Sequence, residues 1–204
     1  MFDVLGKKDD SGKVDVKALS QRSADVVGKT QKASISFAEA VVNVQYAVGK
    51  KEDAEKLKTT IENAKAKKDD PNATKVLVSE VNNAVTEVNK IDMQAQMDKS
   101  KASGFLTDSI LNVGAGMLLD TQAADSASTL LKDSQEALKK VSFMAASKVK
   151  DIINTSQFIV KEVPPQVSSM QTFSNKLIVY ANTNGIPVPT KESMEKKMLA
   201  MEKE

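Results

Sequence analysis

The chain has 204 residues, 41% of them hydrophobic and 27% charged, with a net charge of +2; this is too apolar for a disordered chain and too balanced to draw an acidic partner through bulk charge. It contains no Cys and no His, which removes thiol nucleophiles, imidazole bases, disulfides and the usual zinc and di-metal sites. A single arginine, Arg22, and an aromatic share of 4% without Trp supply neither bidentate base readout nor stacking platforms, so nucleic-acid binding is not expected.

The opening "MFDVLGKKDDSGK" is short, polar and glycine-containing, and residues 1–13 read as a flexible tether. Apolar positions then recur every three or four residues almost throughout, the signature of helices. A first helix is expected from Val16 to Val48, roughly 50 Å long, capped by Asp15 and closed by Gly49. Its stripe is Val16, Leu19, Ser23, Val26, Thr30, Ala33, Phe37, Val41, Val44 and Val48. A short charged helix with Ala54, Leu57, Ile61 and Ala64 on one face follows, and Asp70-Pro71 breaks it. Asn72 can cap a third helix that carries Leu77, Val81, Ala84, Val88, Ile91 and Ala95.

A fourth segment, from about 103 to 119, contains the least charged run of the chain, "GFLTDSILNVGAGMLL". A long fifth helix is expected with the stripe Leu130, Ser134, Ala137, Val141, Met144, Ile152, Thr155 and Ile159, ending at "EVPPQV". Pro164-Pro165 is read as the start of a sixth helix, with Val167, Met170, Phe173, Leu177 and Tyr180 on its face. The domain reading is thus a bundle over 14–184, a Pro-containing linker over 185–189 and a short amphipathic helix over 190–204. No strand-like alternation is present. The fold class is all-α: an elongated up-and-down bundle of four long helices with short accessory helices.

Few residues in this chain offer chemistry. Gly114-Ala115-Gly116 lacks both the Lys-Ser/Thr of a phosphate loop and a preceding strand. Ser147-Lys148-Val149-Lys150 matches S-x-x-K by spacing alone, is placed in mid-helix, and has no companion S-D-N or K-T-G. The carboxylate pairs Asp69/Asp70 and Glu52/Asp53 fall in charged turns, not in a cleft. No catalytic residue, cofactor, metal or small-molecule substrate is therefore assigned, and an enzyme is not expected.

Two stretches remain as candidate contact surfaces. In 104–119, Phe105, Leu106, Ile110, Val113, Met117 and Leu118 share a broad helical face. Burial in the bundle is the expected state, because about 16 residues are short for a membrane span and Asp108 and Asp120 would be costly in hydrocarbon. In general plan only, without a shared motif, such a hidden apolar segment resembles the bundle-shaped pore-forming toxins. That resemblance would imply conditional exposure of 104–119 to lipid. In the tail, Met194, Met198 and Met201 lie along one side of a charged helix and suit docking on the bundle, on a second copy or on a partner.

The reading is a non-enzymatic helical-bundle interaction or structural protein with a protein partner or self-association. The Ser-, Ala- and Lys-rich, Cys-free composition points to a bacterial cell-envelope protein, periplasmic or held by an N-terminal lipid anchor; a native start at Met1 would make it cytoplasmic. A membrane-active bundle and a filament subunit are the alternatives.

Overall fold

The computed structural model describes residues 14–203; the tether expected over 1–13 lies outside the described residues. Among the described residues there are eight helices and no strand, and the fold is an all-α helical bundle. Helix α1 (Val16–Ala47) begins where Asp15 accepts a hydrogen bond from the Ala18 N–H at 2.9 Å, and it stops before Gly49, which takes a left-handed φ of 81°. Helix α2 (Lys51–Ala66) packs back along α1, and helix α3 (Pro71–Asn89) follows after a tight turn.

That turn is organised by α1. The buried Gln31 amide donates to the carbonyls of Ala64 (3.2 Å) and Lys67 (3.1 Å) while its oxygen accepts from the Asp69 N–H (3.1 Å). One side chain thereby joins the turn bonds that close the end of α2, where the Ala64 carbonyl also accepts from the Lys67 N–H (3.1 Å) and the Lys67 carbonyl from the Asp70 N–H (3.2 Å). Gly28, one turn earlier in α1, leaves room for Asp69: a Cβ there would sit 2.5 Å from its carboxylate oxygen. The cap of α3 is Asp70, not Asn72, since the Asp70 carboxylate accepts from the Ala73 N–H at 2.7 Å and Pro71 fills the first helical position. Asp70→Ala should cost about 1 kcal/mol, read as a lower urea midpoint; an unchanged midpoint would mean that the cap contributes nothing.

Helix α3 ends at Asn89 and does not extend to Ala95, which is exposed in a separate turn. Asp92 and Asp98 instead cap two single-turn helices, α4 (Met93–Gln96) and α5 (Lys99–Ala102), so Ile91, Met93 and Met97 still reach the core. The expected break between the 103–119 segment and the next helix is absent, and α6 runs unbroken over Leu106–Leu138. The break falls later, at 139–142, without any Gly or Pro, and α7 covers Phe143–Asn184 in one piece through Pro164 and Pro165. The two prolines have no N–H for the carbonyls of Val160 and Lys161. The helix nevertheless continues because both sides of the pair are buried: Ile159 and Val163 before it, and Met170, Phe173 and Leu177 after it.

The packing divides the bundle lengthwise into two parts. One apolar cluster gathers the second half of α1, α2 to α5, the first half of α6, the last third of α7 and α8 (Lys191–Lys203). We call this thick part the head. The other cluster draws only on α1 (Leu19, Val26, Val27), α6 (Ala127, Leu130, Ala137) and α7 (Val149, Ile152, Ile159, Val163). It forms a three-helix stalk. Helices α1 and α6 are antiparallel, since Asn43 bonds Ser109 (3.3 Å) in the head and Arg22 pairs with Asp133 (2.7 Å) in the stalk. The stalk therefore ends at the α6–α7 turn, beside the start of α1.

Candidate functional site

The face expected over 104–119 lies inside the head. Leu106, Ile110 and Val113 have no exposed surface, and Phe105, Met117 and Leu118 are half-buried against the same cluster. This part of α6 is enclosed by α1, α7 and α8, which explains why apolar residues cover more than one face. Gly116 meets α1 at Phe37 and Ala33, and Gly114 meets α8 at Met194. No described helix is long and apolar enough to cross a membrane.

The methionine side of the tail lies on the head. Met198 and Met201 are buried, and Met194 lies over Gly114. Lys29 pairs with Glu202 at 3.5 Å, and the Pro187 carbonyl accepts from the Thr107 hydroxyl at 2.9 Å, fixing both the far end of α8 and its linker. A groove of about 260 Å³ beside the tail is lined by charges of both signs, among them Lys32, Lys197, Glu39 and Lys65. Lys65 and Glu39 pair there at 2.8 Å, so no single ligand charge is selected.

Head and stalk meet at a polar belt. On α1 it contains Thr30 and Ser34, on α6 Asp120 and on α7 Gln166, all buried. The Ser34 hydroxyl donates to the side-chain amide oxygen of Gln166 at 3.3 Å. Asp120 lies one turn beyond Gly116, which places it level with 30–33 of α1. It is fully buried and neither of its oxygens has a hydrogen-bond partner, so burial pushes its carboxyl well above the usual carboxylate range. An acid held neutral in this way could serve as a proton donor. The carboxyl has no exposed surface, however, and none of the other belt residues, Thr30, Ser34 and Gln166, titrates. Among the described residues no three Asp or Glu side chains converge as metal ligands. Ser147 and Lys150 are both exposed, and they lie in the first turns of α7, not in mid-helix as expected.

The feature that sequence reasoning missed is the stalk tip. Met144 was expected in a buried stripe; instead Phe143 is 96% and Met144 91% exposed, side by side on the first turn of α7. The segment 139–150 that carries them also contains Lys139, Lys140, Lys148 and Lys150, all exposed, and no acidic residue. None of the four forms an ion pair with a described residue. Val141 and Val149 turn inward and anchor this end to the stalk core. The result is two large apolar side chains on a helical turn, flanked along the chain by two exposed lysines on either side.

No protein-family model, curated protein or solved structure matches the chain.

Proposed function

We propose that this is a non-enzymatic helical interaction protein whose head stabilises the fold and whose stalk presents Phe143 and Met144 to a partner surface. One observation carries the reading: nearly complete exposure of two adjacent bulky apolar side chains at the end of a three-helix stalk. Single exposed apolar residues are ordinary, but a paired apolar tip that the chain's own packing leaves open is the usual mark of a contact surface. The other two candidate surfaces, 104–119 and the methionine side of the tail, are occupied by contacts within the chain. Exposing 104–119 would require removing α1, α7 and α8 from around it.

Placement in a bacterial cell envelope, with residues 1–13 as an N-terminal tether or lipid anchor, belongs to the same reading. What supports it is direction: α1 begins at the tip end of the stalk, so the chain enters the described fold beside Phe143 and Met144. The test is a photoreactive phenylalanine analogue at 143, with a second at Val76, an exposed apolar site on the side of the head. In cells of the source organism, position 143 should give a discrete protein or lipid adduct and position 76 none. Equal or absent labelling at the two positions would overturn the reading.

A further inference from the structure

We infer that the surface met by the stalk tip is the headgroup region of a membrane carrying anionic lipid. The inference rests on the interaction reading above and names its partner. Charge complementarity decides among the occupants. The whole chain is nearly balanced, with 29 basic and 27 acidic residues, yet the twelve residues 139–150 carry four lysines and no acid. The nearest flanking acids along the chain are Glu136, one turn before the tip, and Asp151, which follows it. Lysine is a compact, flexible cation suited to a diffuse anionic layer, whereas a specific acidic protein pocket favours the planar guanidinium of Arg. The only arginine, Arg22, is engaged with Asp133 on the stalk surface.

The apolar pair completes the match. Phe and Met are large enough to enter the boundary between headgroups and acyl chains, and they project from a helical turn that is already folded, so little ordering is needed on contact. Val141 and Val149 on either side face the stalk core, which limits the inserted surface to the tip. Four lysines and two apolar side chains give reversible attachment, of the strength that needs a second signal for permanent residence. The entry of α1 at the same end of the stalk puts any N-terminal anchor on the same side as the tip.

The experiment uses the full chain with vesicles of phosphatidylcholine alone or mixed with phosphatidylglycerol. Because the chain has no Trp, Phe143→Trp supplies a single reporter, and Val76→Trp a matched control. Tryptophan at 143 should shift to the blue with the mixed vesicles and stay unshifted with phosphatidylcholine, while tryptophan at 76 should not respond. Cosedimentation with the mixed vesicles should weaken as salt rises. Phe143→Ser with Met144→Ser should lower the partition coefficient about tenfold or more, and Lys139→Gln with Lys140→Gln about tenfold or more. All four positions are exposed, and unchanged circular dichroism and urea midpoints would show that the fold is intact. Equal binding to both vesicle types, no binding to either, or binding indifferent to the serine pair would each overturn the inference. A protein adduct at 143 together with no vesicle binding would overturn the lipid assignment and leave the interaction reading standing.

Discussion

Valine at position 116 should remove a large part of the stability of the head. A Cβ placed on Gly116 would lie 2.6 Å and 3.0 Å from two ring carbons of Phe37 and 3.2 Å from the carbonyl oxygen of Ala33. Neither neighbour can retreat easily, because Phe37 has no exposed surface and Ala33 is helix backbone at the α1–α6 contact. Alanine alone trades a gain of about 1 kcal/mol in helix propensity against an overpacking cost of about 1–3 kcal/mol. Valine adds two more carbons in the same space, so Gly116→Val should cost about 3 kcal/mol or more, a large fraction of the stability of a typical domain. Urea unfolding should show a much lower midpoint. A midpoint near that of the unsubstituted protein would mean that α1 and α6 are not held this close.

Gly114→Ala provides the contrast. The Cβ would meet the Met194 sulfur, but that neighbour is the flexible end of a side chain on α8. The tail can shift where Phe37 cannot. Global stability should change little, while hydrogen exchange in α8 speeds up.

The same glycines show what the sequence makes legible. Apolar stripes at helical spacing are enough for an all-α bundle, and for α1 almost to the residue, because Asp15 and Gly49 are local signals with local consequences. The weak charge of 104–119 is explained by a helix enclosed on several sides, a burial that composition already implies. What fails is any boundary decided by packing. Pro164-Pro165 is a strong local stop, yet the buried side chains on both sides hold α7 together across it. Residues 139–142 contain no breaker, yet the chain turns there. The local traces of that turn are the tightened bonds from the Lys139 and Lys140 N–H groups to Glu136 and Ala137 and the extended backbone of Ser142. Met144 continues the stripe in register, so periodicity assigns it to a core that the turn has already left behind. A better signal lay in charge: lysines bracketing "VSFM" with no acid among them mark a solvated end, not a buried face.

Asp120 leads to the second large effect, a loss of stability as pH rises. Its folded-state pKa lies well above the ordinary value of 3.8 because the carboxyl is buried without a partner. Between those two values the folded chain holds a proton that the unfolded chain releases, so stability must fall with increasing pH. The slope for one proton is about 1.4 kcal/mol per pH unit, and it persists until the buried group itself ionises. The exposed carboxylates Glu87, Asp98 and Glu192 have lowered pKa values and act in the opposite sense, losing stability as pH falls; measurements above pH ~5 keep clear of their range. Over that range the unsubstituted protein should lose stability steadily with pH. Asp120→Asn, neutral and nearly the same size, should be flat and should become the more stable chain at the alkaline end. A flat profile for the unsubstituted protein, with Asp120→Asn destabilised at every pH, would mean that the carboxyl is charged and paired after all. Asp120 lies in the belt between two separate apolar clusters, and Thr30 Oγ1 and Gln166 Nε2 of the same belt also lack partners. Its ionisation should therefore loosen the joint before it unfolds either part. After correction for intrinsic rates, hydrogen exchange should rise with pH first around 30–34, 118–122 and 166–168, because those segments contain the groups that must rearrange to receive a charge.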